Sequence, residues 1–491
     1  MRAAETGCMP TATRVSEQSA SARLAPAGLA AILTAYALPV MCFFALTVAL
    51  DDIQTDLNTT PAILQLIIAT FGVAYASIVV LGGRFGDNIG RRRVMQVGLV
   101  AMIVSSAVCA LAPNSGVLLG GRLLQGVAAA LVAPQVLSII QSTTAGEDRV
   151  RAMSWFGAMA GIATCAAFLV GGGLLATNLG GLGWRLIFWL NVPVAAIALL
   201  ASRFVPESRS QARAHLDVFG ALTLGIAVVL FVLPVTEGRA LGWPVWTWVC
   251  LAASLPVFAI FLGAARRAER RGATPLLPPS ILKTRSMKIG LLIALAFFSV
   301  FGGFMFIFSL VAAQNAQLGP LGIGLTLGPF AATFLLASLL SSAQVNRDGI
   351  AVMRRGAAIS AIGYAAYLVP ALLTWPDLHG WQLALPGLLV GAGQAWLVVP
   401  LFGTVLAAVP SQQAGAGSGL LLTTMQMALG VGSALVGTIF LSAGGTEEPT
   451  ATPLVISLGI VIAALLGIGA LLRRLREAAA RDAQESLGAA A

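Results

Sequence analysis

The sequence predicts an all-α integral membrane protein with fourteen membrane-spanning helices. Of its 491 residues, 58% are hydrophobic and 10% are charged, whereas soluble domains carry roughly 25% charged residues. The apolar residues are collected in long runs, and about 20 apolar residues let a helix cross a bilayer core of about 30 Å. Fourteen such runs follow one another along the chain. An even number of spans places both termini on the same side of the membrane.

We number the predicted spans 1 to 14 in chain order. They cover residues 28–50, 62–81, 94–112, 117–141, 152–176, 185–204, 217–236, 244–264, 286–311, 321–343, 353–374, 381–407, 415–441 and 451–473. Residues 1–27 are polar and contain no apolar core of a signal peptide, so we expect a disordered tail there and a second tail at 474–491. The longest charged connector, residues 266–288, follows span 8 and is expected to be solvated and to touch anionic lipid.

The basic residues are distributed unevenly over the two sides. With the N-terminus in the cytoplasm, 26 of the 29 Lys and Arg residues fall on the cytoplasmic side, and the other three are Arg122, Arg185 and Arg239. This asymmetry follows the positive-inside rule and predicts cytoplasmic termini. Topology therefore explains the net charge of +10, and nucleic acid is not expected as a partner. The five cysteines form no CxxC pair, so neither a disulfide framework nor a metal site is predicted.

A polar segment joins spans 2 and 3. Residues 82–93 read GGRFGDNIGRRR. The glycines permit close approach of helix backbones, and Asp87 can either cap the start of span 3 or pair with Arg91, four residues further on. Two interpretations stay open. The segment is either a contact that opens and closes between helices or a positive-inside loop with a local cap.

This segment resembles the signature loop of the major facilitator superfamily, with Gly83, Asp87, Gly90, Arg91 and Arg92 at its characteristic positions. Three later stretches resemble further motifs of that superfamily and of its fourteen-helix drug:proton antiporters. They read RLLQG (122–126), GWRLIFWLNVP (183–193) and GAGQAWLVVPLFGTVLAAVPSQQAGAGSGL (391–420). The resemblance extends over nearly the whole chain from span 1 to span 14.

The resemblance implies a major facilitator fold, with six-helix bundles at 28–204 and 286–473 around a central cavity and two inserted helices at 217–264. It also implies alternating access, in which the cavity opens to one side of the membrane at a time. The five signature-loop residues would then gate the cytoplasmic end. We expect a monomer in the bacterial inner membrane, in contact with lipid.

Span 4 carries an arginine inside an apolar run. A cation within a span costs about 3 kcal/mol or more, so Arg122 is expected to face the protein interior or water, with Gln125 on a similar face. One interpretation is a role in the transport path; the other is snorkelling to the interface or structural pinning. Asp51 and Asp52, at the end of span 1, are expected at about the same depth in the membrane as Arg122. We expect them either to pair with Arg122 in a proton-coupling site or to be solvated.

Two hallmarks of the drug:proton antiporters are eroded. Cys42 stands where the resemblance implies an aspartate in span 1, which makes it a substrate-binding candidate, and Ala167-Phe168 replaces a Gly-Pro in span 5. All nineteen acidic residues lie in tails, loops or helix ends, whereas proton-coupled carriers commonly need a carboxylate within the membrane. An interior Arg122 without a mid-span acidic partner favours an anionic or neutral substrate over a cation.

Aromatic side chains supply the remaining binding candidates. Tyr36, Phe43 and Thr47 follow one side of span 1, while Phe301 and Phe304 belong to a stripe of four phenylalanines in span 9. Such residues either line a drug-sized pocket or pack against other helices and lipid.

No GxxxxGK[ST] motif of an ATP motor occurs, and no nucleophile or metal motif points to an enzyme or a cofactor. The favoured function is export of small amphiphilic molecules, drugs or metabolites, by proton antiport. The alternative is a facilitator or proton symporter for a single small metabolite, which the eroded hallmarks favour. A third interpretation, a membrane scaffold or sensor without transport, is disfavoured by the short predicted tails.

Overall fold

The computed structural model describes residues 24–488, apart from positions 178, 210–216, 239–240, 274, 283, 408, 411–412 and 447. Within this part of the chain, fourteen helices are long and apolar enough to cross a membrane, which confirms the predicted fold class. We keep the numbers of spans 1 to 14. They run Pro26–Phe44, Pro61–Ile89, Arg91–Ala110, Ser115–Thr143, Gly146–Thr177, Arg185–Ala201, Val218–Glu237, Val245–Arg270, Arg285–Gln314, Pro320–Asp348, Ala351–Ala366 continued by Leu368–Thr374, Gly380–Ala407, Ala414–Ser442 and Thr452–Gly488.

Short polar side chains cap the starts of several spans. Thr60, Asn114 and Asp217 each accept a hydrogen bond from a backbone N–H in the first turn of spans 2, 4 and 7. These bonds satisfy N–H groups that have no partner inside the helix. Proline follows the cap of span 2, where its missing N–H costs nothing. Local sequence therefore fixes where these spans begin.

Spans 2 and 3 meet at a single residue rather than in a polar turn. Span 2 continues to Ile89, Gly90 alone breaks the helix with φ 122° and ψ 129°, and span 3 begins at Arg91. Glycine adopts this backbone conformation without the steric cost that other residues would meet. The prediction that Asp87 caps the start of span 3 is thus wrong. Asp87 lies in the last turn of span 2, and the residue at the N-cap position of span 3 is Gly90.

The connector after span 8 is not simply solvated, as the sequence led us to expect. Residues 275–278 are buried, and the buried Arg84 of span 2 donates hydrogen bonds to the carbonyl oxygens of Pro275 and Leu276. Asp217 accepts a further bond from the Leu276 N–H at 3.1 Å. A basic side chain that sequence analysis used only to set topology therefore anchors this connector to span 2.

Span 1 is shorter than predicted: it ends at Phe44 and is followed by a short helix, Leu50–Asp56. Asp56 holds this helix in place, because its Oδ2 accepts hydrogen bonds from Arg185 Nη1 at 2.6 Å and from Trp184 Nε1 at 3.1 Å. These hydrogen bonds lower the pKa of Asp56 below its usual value, and the bond from Arg185 has the larger effect.

Spans 1–6 and spans 9–14 form two halves that meet along two faces. On one face span 5 packs against span 10, and on the other span 2 packs against span 13. Glycine lets the first pair approach closely: a Cβ on Gly161 would come within 3.1 Å of Phe334, and one on Gly172 within 3.4 Å of Leu321.

The inserted spans 7 and 8 stand beside the second face. Span 7 packs against span 2 of one half, span 13 of the other, and span 8. Near its end, Val235 and Thr236 lie within 3.7 Å of the position that a Cβ on Gly430 would take in span 13. Span 8 is mostly exposed. Span 7 therefore bridges the two halves, and span 8 covers span 7 from outside.

Candidate functional site

The basic end of the molecule is the end that carries residues 84–93, 203–209 and 347–355. Here Gly83 of span 2 meets Gly415 of span 13 backbone to backbone. A Cβ on either glycine would lie far inside the 3.0 Å that real Cβ atoms keep from the carbonyl oxygen of the other. We call this contact, which continues along both helices, the 2–13 seam.

Asp87 joins the two halves across the 2–13 seam. Its side chain is 1% exposed, and its Oδ1 accepts hydrogen bonds from Arg91 Nη2 at 2.9 Å and from the Gly415 N–H at 3.1 Å. The second donor is at the start of span 13, where backbone N–H groups favour an anion. One carboxylate thus pairs within its own half and with the backbone of the other half.

Further contacts extend the 2–13 seam toward the middle of the molecule. A Cβ on Gly419 would lie 2.7 Å from the Cα of Val80, and Thr423 Oγ1 donates to the Ala76 carbonyl at 3.4 Å. Residues 415, 419 and 423 of span 13 thus present small side chains at four-residue spacing, which permits close helix packing.

Span 4 closes the basic end beside the 2–13 seam. Ser138 Oγ lies 3.0 Å from Ser418 Oγ, and Gln141 Nε2 donates to the carbonyl oxygens of Leu406 and Val409, the latter at 2.9 Å. All these bonds are buried and cross between the halves. The basic end is therefore closed in this conformation.

A cavity of about 420 Å³ lies between the halves, beyond this closed end. Phe156 and Phe402 form its floor, with ring centroids 5.8 Å apart. At the other extreme it is lined by Gln65 and Gly324, each one turn from the start of its span at the end opposite the basic end. The cavity therefore reaches toward the opposite end.

Aromatic rings dominate the cavity wall. Tyr36 packs on Phe156 at 4.1 Å between centroids, and Phe301 stacks near Phe297 and Phe330 at 6.5 and 6.4 Å. Polar groups are few and mostly uncharged; those of the described lining residues belong to Tyr36, Gln65, Tyr75, Thr164, Cys165, Thr236, Gln394, Gln426, Ser433 and, as the single acidic one, Glu237. No Lys, Arg or His is among the described residues that line the cavity. An apolar wall with scattered hydrogen-bonding groups suits an aromatic, amphiphilic small molecule.

Comparison with known proteins agrees with this architecture. A family model described as Major Facilitator Superfamily matches residues 32–344. The chain belongs to the Major Facilitator Superfamily. It is a multi-pass membrane transporter, as the fourteen spans and the relatives below also indicate.

The chain is similar in sequence to two bacterial proteins and similar in structure to one human protein. The transporter is 31% identical over 428 residues to a "Probable actinorhodin transporter" of Streptomyces coelicolor, covering 86% of this chain and 73% of the relative. It is 31% identical over 465 residues to the "Puromycin resistance protein pur8" of Streptomyces alboniger, covering 91% and 89%. The human organic anion transporter MFSD10 superposes with a TM-score of 0.63 at 18% identity, covering 91% of this chain and 99% of that one. At that identity the structural likeness shows the fold alone.

Of the predicted binding residues of the transporter, Tyr36, Phe43 and Phe301 line the cavity. Phe304 lies behind the wall, with its ring 4.7 Å from that of Tyr364 and 5.3 Å from that of Tyr367. Cys42 is also behind the wall, where its sulfur lies 3.8 Å from that of Met102. The side chains of Thr47 and Asp51 lie outside the described residues.

Arg122 and Gln125 are buried inside the first half and do not line the cavity. Arg122 is 0% exposed; it donates to the Cys42 carbonyl at 3.0 Å and to Gln125 Oε1 at 2.9 Å, and its guanidinium lies 4.5 Å from the Phe71 ring centroid. Among the described residues, no ion pair joins it to Asp52, which is exposed. The interior location of Arg122 agrees with the expectation that a cation within a span avoids lipid because its exposure there is costly. Its hydrogen bonds to backbone carbonyl oxygens favour a structural role, in which Arg122 holds neighbouring helices in place.

The other gating candidates lie within the first half. Arg92 Nη1 donates to the Val205 carbonyl at 3.1 Å, and its backbone N–H donates to Glu207 Oε1 at 3.1 Å, next to Gly90. Among the contacts between described residues, those of Gly83 and Asp87 reach the second half directly. Their role in gating stays a prediction.

Sequence analysis missed Glu237. It is the last residue of span 7, 4% exposed, and lines the cavity. The predicted span 7 ends one residue earlier, so the sequence places this glutamate at the end of the helix and not in the cavity wall. The sequence does offer one signal for Glu237, because this acidic residue directly follows an apolar run.

Proposed function

We propose that this transporter exports small, aromatic, uncharged amphiphilic molecules across the bacterial inner membrane by alternating access coupled to proton antiport. One observation carries the proposal: an aromatic cavity lies between two halves that buried hydrogen bonds join at the basic end. A site enclosed between two such halves reaches either side of the membrane when the halves rock.

The side chains that line the cavity wall indicate the class of substrate. Rings offer stacking surface, and the glutamine, serine and threonine side chains offer hydrogen bonds in a site with little water. An anionic substrate would meet no cation of Arg122 in the cavity, because the Arg122 guanidinium lies behind the wall. The names of the two relatives, "Probable actinorhodin transporter" and "Puromycin resistance protein pur8", support export.

Orientation follows from charge. The positive-inside asymmetry supports a cytoplasmic position for the basic end. The conformation described here is then the outward-facing one, in which bound substrate leaves and a proton enters. A single chain encloses the whole cavity, which supports a monomer as the working unit.

The test is transport in proteoliposomes with imposed pH gradients. Matched probes of three charges are chloramphenicol (neutral), fluorescein (anionic) and ethidium (cationic). We expect flux of chloramphenicol, driven by a proton gradient in the opposite direction. Ethidium flux that exceeds it would refute the substrate class, and fluxes that ignore the pH gradient would refute antiport. The names of the relatives do not favour the alternative, a facilitator or symporter for one metabolite.

A further inference from the structure

Span 7 places a buried carboxyl group in the cavity wall. Glu237 ends this span, is 4% exposed, and lines the cavity. Its Oε1 has no hydrogen-bond partner among the described residues. Burial of a carboxylate without a partner is costly, and a proton or a cation removes that cost.

No described charge faces this carboxyl from the helices packed around it. Span 7 packs against spans 2, 8 and 13. The charged residues of span 2, Arg84 and Asp87, and those of span 8, residues 266–270, all lie at the basic end, while span 13 contains no charged residue. The other titratable side chains on these three spans are Tyr75 in the cavity wall and Cys250 near the start of span 8. Arg239, two residues on in the chain, lies outside the described residues.

The bridging position of span 7 couples this carboxyl to the motion of the halves. Because span 7 contacts span 2 of one half and span 13 of the other, rocking must change at least one of these contacts. Gly430 of span 13 lies against Thr236, the residue next to Glu237. The surroundings of the carboxyl therefore differ between the two conformations, which a state-dependent proton site requires.

We propose that Glu237 is the group that carries the proton in exchange for substrate. With the cavity open to the outside, the carboxylate takes a proton from external water and forms a neutral carboxylic acid. After the halves rock, the O–H bond breaks, the proton passes to cytoplasmic water, and the carboxylate is restored as substrate binds. One proton enters for each such cycle. This inference rests on the proposed antiport and names its site.

The first test needs no substrate. Dicyclohexylcarbodiimide adds to protonated carboxyl groups in apolar surroundings, and mass spectrometry locates the adduct in the reconstituted full-length protein. We expect labelling at Glu237 that declines as pH rises, and none at Glu448, a half-buried glutamate in the loop after span 13. Absence of an adduct at Glu237, or equal labelling at Glu448, would overturn the inference.

The second test separates binding from coupling. In Glu237→Gln, we expect chloramphenicol accumulation driven by a pH gradient to fall by about tenfold or more, while exchange of labelled for unlabelled chloramphenicol without a gradient stays within about twofold. Glu237→Asp keeps the ionisable group and is expected to retain gradient-driven accumulation; Glu448→Gln is the matched control and should behave like the wild type. Retained accumulation in Glu237→Gln, or loss of exchange as well, would overturn the inference. A wild type that ignores the gradient would instead refute the proposed antiport.

Discussion

Adding one methyl group at the 2–13 seam tests whether this contact sets the closed state of the basic end. In Gly83→Ala, the new Cβ would overlap the Gly415 carbonyl oxygen, a backbone atom that cannot rotate away. To restore ordinary van der Waals contact, which begins at 3.4 Å, spans 2 and 13 must separate by about 1.4 Å, because a close-packed interior tolerates no such overlap.

The cost can be estimated from the bonds that this separation breaks. The hydrogen bond from the Gly415 N–H to Asp87, now 3.1 Å long, would exceed any bonding distance. A bond to a charged acceptor is worth about 1.5–3 kcal/mol, and overpacking adds about 1–3 kcal/mol. The closed basic end should therefore lose roughly 3 kcal/mol relative to the open one, which shifts their ratio by roughly two orders of magnitude.

Spin labels measure this shift directly. Cysteines at Asp148 and Arg354, both exposed and in opposite halves at the basic end, report the distance between the halves once the native cysteines are replaced. The wild type should give one short distance, and Gly83→Ala a dominant longer one. Gly403→Ala is the control, because a Cβ there meets nothing within 4 Å. A folded Gly83→Ala protein with the wild-type distances would refute the reasoning.

Three more perturbations follow from the contacts described above. Asp87→Asn keeps an acceptor oxygen but removes the charge that Arg91 and Gly415 share, so the same labels should show a partial opening, worth about 1–2 kcal/mol; an unchanged distance would contradict it. Arg122→Ala should lower the thermal stability of the detergent-solubilised protein by about 3 kcal/mol, because the Cys42 carbonyl and Gln125 lose their donor; an unchanged melting temperature with lost transport would instead indicate a role in the transport path. Hydrogen bonds from Arg185 and Trp184 lower the pKa of Asp56, so its contribution to stability is present above the unfolded pKa of about 3.9 and is lost as pH falls through the lowered value. The melting temperature should therefore fall less between pH 5 and pH 3 in Arg185→Gln than in the wild type, and equal falls in the two proteins would exclude the interaction.

Sequence analysis located the spans because a bilayer of fixed thickness demands apolar runs of fixed length. It ended span 2 too early because polarity marks where a helix leaves the membrane, not where it stops. The helix runs on through Asp87 until Gly90 takes a backbone conformation that breaks it. That distinction decides which residues Asp87 can reach.

The wall of the cavity was harder to predict than the helices. Cys42 and Phe43 are neighbours in sequence, yet Phe43 lines the cavity and Cys42 packs against Met102 inside the first half. Periodicity identifies the faces of a helix but not which neighbour each face meets. For the same reason, the apolar stripe of span 9 divides between Phe301 in the wall and Phe304 behind it.

The bridging position of span 7 also decides how a lipophilic compound can leave the cavity in this conformation. Spans 5 and 10 pack closely along one side of the molecule, and span 7 lies across spans 2 and 13 on the other. Both routes by which a molecule dissolved in the bilayer would slip sideways between the halves are thus obstructed. A substrate released in this conformation must therefore pass along the membrane normal before it reaches the acyl chains, so its partition into the interfacial water layer, and not its solubility in lipid, should govern its rate of release.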